Sequence, residues 1–390
     1  MKKIISILLA VVLFVGCTSL AFAENDNTIN GTLNLVSFNV DGLPIPAALS
    51  STKRDPIKAT GLIAKQINAS DCDILSVQED FNLHPILEKN LDMKYATLTS
   101  GGVAVGDGLN FFSKYPVYNV GRVPWRTAYG VYDCGSDELT PKGILYCTVE
   151  IADGVFIDVY NIHADAWEDE KSMLAKADQF DQLIELVEEH SGTDRAVILT
   201  GDFNTNYTVF RAGYQNGTYK IDLCQKLIDN FVSKGFKDAW IEYNVDGNYD
   251  ITYSEMWERY GCDYQRAWDT LDHVYYRDGA GVSFELLEAV YDSFDCDGIS
   301  WNGHLSDHAA IRTKLAYTVN PDEIKPIESK NTETFNLSDY IMTAVKTITK
   351  VLFKAIINIP ELIKNGISKE DVERARKVLI SQNIRICWIK

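Results

Sequence analysis

The eight cysteines of this 390-residue chain include no Cys-x-x-Cys pair, so neither a zinc ribbon nor a dithiol redox centre is written into it. Positive charge is scarce. Lys and Arg number 37 against 55 Asp and Glu, a formal net charge of −18. That balance excludes a protein that coats a polyanion with a uniform basic surface. It does not exclude a phosphate-bearing substrate, because a bound divalent cation can invert the local field. No internal repeat or low-complexity tract occurs, which removes solenoids and disordered tails. Residues of the types AVILMFWYC make up 46% and charged residues 24%, an ordinary globular composition. The length fits one large domain with an extension, or two domains.

Met1–Ala23 reads as an export signal. Lys2 and Lys3 precede the apolar run Ile4–Val15, which is short for a bilayer span, and Ala21-Phe22-Ala23 offers a small-x-small cleavage site. The chain is therefore expected to be secreted or held at the cell surface, with lipidation at Cys17 as the rival reading. Seven cysteines lie beyond this segment, an odd number that cannot all pair within one chain. Cys134 and Cys147 could close a loop in an exported protein or could equally be buried thiols.

From residue 24 to about 318, strands and helices alternate. Apolar runs predict strands at Thr32–Val40, Asp73–Glu79, Gly108–Ser113, Ile144–Ile151, Val155–His163, Ala196–Thr200, Leu271–Tyr276 and Ala309–Leu315. Asp55-Pro56 caps a helix striped by Ala59, Leu62, Ile63 and Ile67. Met173, Ala177, Phe180, Ile184 and Val187 stripe another, with Gly192 as its stop. This order argues an α/β layered domain. Residues 319–335 read as a polar linker. Residues 336–390 read as a helical extension in which Ile341, Val345, Ile348, Leu352, Ile356 and Ile359 oppose Lys346, Lys350 and Lys354. Three central lysines argue against a spanning helix. It either docks on the main domain or lies on a membrane surface.

The chemistry gathers at strand ends. Gly201-Asp202-Phe203-Asn204 follows an apolar strand, and alternation puts Asp202 and Asn204 on one side of the chain. Alone it could be a turn. Asn39, Gln78-Glu79, Asn161-Ile162-His163, Leu271-Asp272 and Ser306-Asp307-His308 sit at the ends of five other strands. Turns call for Gly, Asn or Asp, but not for Glu79, His163 and His308. A carboxylate closing a buried strand suits a hard metal ion, and a histidine beside a carboxylate suits general base work.

The ordered set Ser37-Phe38-Asn39, Gln78-Glu79, Gly201-Asp202-Phe203-Asn204, Leu271-Asp272 and Ser306-Asp307-His308 resembles the endonuclease/exonuclease/phosphatase superfamily over about residues 32–316. The resemblance implies a four-layer α/β sandwich, two facing mixed sheets flanked by helices, and Mg²⁺-dependent hydrolysis of phosphate esters, with Mn²⁺ or Ca²⁺ as other possible ions. Carried over by position, Glu79 and Asn39 would bind the metal with Asp307 beside it. His308 would be the general base and Asp272 its orienting partner. Asp202 and Asn204 would position water and phosphoryl group. His163 would stabilise developing charge or protonate the leaving group.

Gln78-Glu79-Asp80-Phe81-Asn82, the stretch Gly108–Pro116 and Lys142-Gly143 are similar to the neutral sphingomyelinase branch, with Asp80 in place of a small residue. That similarity implies a secreted phosphodiesterase acting on a phospholipid headgroup. The aromatic segment Trp240–Trp268 and the C-terminal helix would touch the membrane, unless the aromatics merely pack a helical insertion. The alternatives are a secreted nuclease of the deoxyribonuclease type, for which Arg122, Arg126 and Lys142 are candidate phosphate grips, and an inositol-phosphate phosphatase.

Overall fold

Among the residues that the computed structural model describes (29–43, 54–103, 106–130, 137–138, 140–260, 271–296 and 303–327), twelve strands form two six-stranded sheets. In chain order the elements are β1 (Ile29–Asn39), α1 (Pro56–Ala69), β2 (Ile74–Gln78), α2 (His84–Asn90), β3 (Tyr95–Ala96), β4 (Asn110–Ser113), β5 (Val117–Pro124), β6 (Gly143–Ala152), β7 (Val155–His163), α3 (Glu170–His190) and β8 (Val197–Asp202). They continue as α4 (Tyr207–Gln215), α5 (Leu223–Asn230), β9 (Lys237–Asp238), α6 (Ala239–Val245), α7 (Tyr253–Tyr260), β10 (Asp272–Arg277), β11 (Val282–Asp292) and β12 (Ala310–Val319). One sheet runs β11-β12-β1-β2-β4-β3 and the other β5-β6-β7-β8-β10-β9.

Strands β2, β7 and β8 are buried along their whole length, which is why they are rich in apolar residues on both faces. Leu33, Leu35 and Ile74 of the first sheet pack against Val149, Ile157, Val159 and Ile198 of the second. Outside the first sheet, Ala59, Ile63 and Ile67 of α1 cover Phe38, Leu75 and Val77. Outside the second, Phe180, Leu183 and Val187 of α3 cover Tyr160 and Leu199. The result is the expected four-layer α/β sandwich. Asp55 caps α1 by accepting from Lys58 N at 3.1 Å, and Asp169 caps α3 through Lys171 N and Ser172 N. Helix α3 ends at Ser191, and Gly192 takes φ +57° just beyond.

Strands β3, β5, β9 and β11 lie outside the sequence expectation. Two are only two residues long. β5 is half-buried almost throughout, and β11 is an edge strand with a register shift between Leu286 and Glu288, so neither shows a clean apolar alternation. Strand β12 runs through Val319, the first residue of the expected linker, opposite Ile29 and Val282. Lys325 then pairs with Asp194. Residues 1–28 and 328–390, and with them the export signal and the C-terminal helix, lie outside the described residues, as does Cys134. Cys147 is buried on β6.

In the first half of the aromatic segment, the packing alternative describes two of the rings. Trp240 is buried and stacks on Tyr291, with ring centroids 5.4 Å apart, and Tyr249 packs edge-on to Tyr207 at 5.6 Å. These two rings build the core under α6 and do not face a membrane. Tyr243 and Tyr253 are exposed. The side chains of Trp257, Tyr260, Tyr264 and Trp268 lie outside the described residues. No helix among the described residues is long and apolar enough to cross a membrane.

Candidate active site

Strand register brings the polar ends together. Asn39 lies opposite Gln78 across the parallel β1–β2 pair, His163 opposite Asp202 across the parallel β7–β8 pair, and Asp272 opposite Asp202 across β8–β10. The two sheets are laced to each other at this edge. Asn39 Nδ2 donates to Asp202 Oδ2 at 3.1 Å, Gln78 Nε2 to Asn161 Oδ1 at 2.6 Å, and Asn161 Nδ2 to the Val77 carbonyl at 2.8 Å. Gly201, at φ +140°, lets β8 lie so close to β7 that a Cβ would meet Ile162 O at 2.2 Å. Glu79 and Asn204 take left-handed φ values of +56° and +48°, strain of a kind that proteins keep at functional positions.

His308 sits between two carboxylates. Its Nδ1 is 2.7 Å from Asp272 Oδ2, and its Nε2 is 3.6 Å from Asp202 Oδ2. Ser306 fixes the approach to β12, since its hydroxyl donates to the Asn39 carbonyl at 2.6 Å and accepts from His308 N at 3.1 Å. Burial opposes the imidazolium, yet Asp272 and Asp202 together hold its pKa well above the ordinary value. Burial and Asp272 in turn push Asp202 up to about 6, against the pull of His308 and Lys142. Nδ1 is thus committed to Asp272, and Nε2 faces the cleft. Asn204 is fastened by Asn204 N to Asp202 Oδ1 at 2.9 Å and by Asn204 Nδ2 to the Ala164 carbonyl at 3.1 Å.

On the other side, Glu79 Oε1 accepts from Asn39 Nδ2 at 3.3 Å, and Asn39 Oδ1 accepts from Asp41 N at 3.1 Å. Burial and the charge of Asp307 raise the Glu79 pKa, and burial with Asp307 raises Asp41 to about 7. Asp307 itself is exposed and reaches the cluster through its field. Asp41 is paired with the buried Arg54 guanidinium at 2.8 Å, whereas Glu79 and Asp307 repel each other beside the Asn39 carboxamide; these are oxygen donors of the kind a hard divalent cation takes, and a cation would relieve the repulsion. The site therefore fits such an ion, with Glu79 as the best-placed ligand. Asp202, Asp272 and His308 also offer ligand atoms within 4.8 Å of one another, but there the His308–Asp272 hydrogen bond occupies Nδ1.

His163 differs from what the resemblance implies. Burial, then Lys142 and His308, hold its pKa well below the ordinary value, so the ring is neutral. Its Nε2 accepts from Lys142 Nζ at 2.9 Å, and Asp202 Oδ2 lies 3.5 Å away. Protonation of a leaving group from this nitrogen is not what the arrangement favours. The positive charge at this wall belongs to Lys142, which is also paired with buried Asp137. Lys142 entered the sequence reading as part of the stretch Lys142-Gly143 and as a phosphate grip for DNA, and Asp137 not at all. A lysine five residues after an aspartate, directly before a strand, was the available signal.

The Endonuclease/Exonuclease/phosphatase family matches residues 36–308. The chain belongs to this family. Its members hydrolyse phosphoester bonds and usually use a divalent metal ion. Sphingomyelinases of Mycobacterium tuberculosis and Mycobacterium bovis are 30% identical over 269 residues, 67% of this chain and 48% of theirs. The chain thus spans about half the length of these curated relatives. A family protein from Bacteroides thetaiotaomicron of solved structure superposes with a TM-score of 0.51 at 17% identity, covering 79% of this chain and 100% of that one, which supports the fold.

Proposed function

We propose that the chain is a secreted phosphodiesterase that uses Mg²⁺ to release the phosphorylated headgroup of a phospholipid. The observation that carries the reaction type is the His308 ring, pinned at Nδ1 by Asp272 and presenting Nε2 beside Asp202. With the His308 ring in its neutral form, a water held there by Asp202 and Asn204 passes its proton to Nε2 as its oxygen attacks phosphorus, the bond from phosphorus to the lipid oxygen breaks, and the departing alkoxide takes a proton from solvent. When bound beside Glu79, the cation supplies Lewis-acid polarisation of the phosphoryl oxygen. The Lys142 ammonium, steadied by His163 and Asp137, faces the charge that develops on the phosphoryl group. The phospholipid class rests on the 30% identity to sphingomyelinases, and secretion on the export-signal pattern of Met1–Ala23.

A DNA-type substrate fits less well. Arg122 is committed to Asp107 through two 2.8 Å contacts, and Arg126 to Asp178 and Glu185, so two of the three expected phosphate grips are neutralised in place. The deciding experiment incubates the protein with sphingomyelin or phosphatidylcholine vesicles, supercoiled plasmid and inositol phosphates, with Mg²⁺ or with chelator. Headgroup release that disappears with chelator supports the reading. Plasmid nicking without headgroup release would replace it.

A further inference from the structure

Asn204 owes its left-handed conformation to the segment around it, and two side chains outside the strand-end constellation hold that segment. Lys176 lies on the buried face of α3 and is fully shielded from solvent. Its Nζ donates to the Asn204 carbonyl at 2.8 Å and to the Trp167 carbonyl at 2.8 Å. His273 follows Asp272 on β10 and, by strand alternation, points to the opposite face of the sheet. It is 3% exposed, stacked on Tyr275 at 5.5 Å and flanked edge-on by Phe203 and Tyr207. His273 Nδ1 is 2.7 Å from Asp238 Oδ2, and Nε2 is 2.6 Å from the Thr205 carbonyl.

A carbonyl oxygen can only accept. His273 Nε2 therefore carries the hydrogen of the bond to Thr205, and Nδ1 anchors the ring to Asp238. Asp238 Oδ1 accepts from Trp240 N and Ile241 N at the α6 cap, so that carboxyl is itself fixed in place. Successive carbonyls, those of Asn204 and Thr205, are each taken by a buried side-chain donor arriving from a different element. The bond from the Lys176 ammonium is charge-assisted, the stronger class of hydrogen bond.

We propose that Lys176 and His273 are positioning residues that clamp the Asn204–Thr205 backbone from two sides and thereby aim the Asn204 carboxamide into the cleft. The clamp rests on the reading of Asn204 as a group that meets the phosphoryl oxygen. It explains why a lysine occupies the apolar face of α3, and why α3 and β10 are tied to the loop after β8. A 1 Å misplacement of a catalytic group is enough to cost about a hundredfold in rate.

The test uses the whole protein, saturating Mg²⁺ and the soluble diester bis(p-nitrophenyl) phosphate. Lys176→Met is expected to lower kcat at least tenfold with KM within about twofold, and Lys176→Arg, which keeps two donors, to recover most of the loss. In an Asn204→Ala background the same Lys176→Met change should alter kcat less than about twofold, because the group it aims is gone. A loss that multiplies fully in that background overturns the clamp, as does a folded Lys176→Met with kcat unchanged. If Lys176→Met does not fold, His273→Gln undergoes the same cycle. In the wild-type protein, ¹⁵N–¹H spectra should show His273 Nε2 protonated, and a bare Nε2 overturns the His273 half. A wild-type protein inert toward the diester would sink the proposed reaction and not the clamp. The Asn204 side-chain amide signal then decides, shifting in Lys176→Met if the clamp sets its orientation and staying put if it does not.

Discussion

His308 takes its function from its neighbours as much as from its ring. With Nδ1 held by Asp272 at 2.7 Å, the ring presents Nε2 to the cleft, and no other imidazole among the described residues is so placed. His308→Gln is expected to lower kcat by roughly 10²- to 10⁴-fold, the span of a positioned general base, with the thermal unfolding midpoint little changed. Steady-state rates on any substrate that proves active, beside a melting curve, check this. Lys142 carries a separate prediction. Its charge depresses the His163 pKa, so removing that charge should raise it. The double variant Lys142→Met/Asp137→Asn avoids leaving Asp137 buried and unpaired. Following the His163 ring signals against pH should show the titration moving upward relative to wild type. Asn39, Glu79, Asp202, Asp272 and His308 were legible in the sequence because polar residues closing apolar strands have no packing reason to be there. Lys176 was hidden differently: three residues after Met173 and four before Phe180, it breaks an apolar stripe, and the eye that counts apolar matches passes over the exception.

At the scale of elements, α3 links stability to the site. It covers the second sheet through Phe180, Leu183 and Val187. From the same face come Lys176 and Gln179, whose Nε2 donates to Asp165 Oδ1 at 2.7 Å. Its N-terminus is held by Asp169, which accepts from two backbone N–H groups at 3.1 and 3.2 Å. Asp169→Ala should cost about 1 kcal/mol, the usual worth of such a cap. In a domain of this size that is a fall of about 2 °C in the unfolding midpoint. Activity at 25 °C should persist, since the buried stripe remains in place. Calorimetry with a parallel rate assay separates the two. Elements such as α3 and β7 were readable because one face, or both, is fully buried, so burial imposes a period on the sequence. β5 and β11 lie at sheet edges where half-buried positions accept polar and apolar residues alike, and the period fades.

At the scale of the whole molecule, the formal net charge of −18 counts every acid as ionised, yet several acids at or near the cleft hold their protons more tightly than free carboxyls. Burial, with neighbouring acids, raises Asp41 and Asp165 to about 7 and Asp202 to about 6, from an ordinary 3.8. Between about pH 4 and 7 these three acids therefore bind more protons in the folded metal-free protein than in the unfolded chain, and their contribution to stability falls as pH rises through that window. His308 acts in the same sense, because its raised pKa contributes stability that is lost as pH rises through it. His163, held neutral by burial and Lys142, acts oppositely below its ordinary value of 6.5. Lys176, lowered to about 8 by burial, does so only at more alkaline pH. A divalent cation binds the ionised acids, so its contribution should grow where the protons leave, reaching about 2.7 kcal/mol at a hundredfold excess over Kd. Unfolding midpoints in chelator should decline from pH 5 to pH 8, and the gap between chelator and Mg²⁺ should widen over the same range. Glu79→Gln should close most of that gap yet leave much of the decline in chelator, because Asp165 lies away from Glu79 and answers to burial and Asp137. A midpoint in chelator that rose with pH would contradict this account of the acids, and a gap of constant width would separate the cation from them.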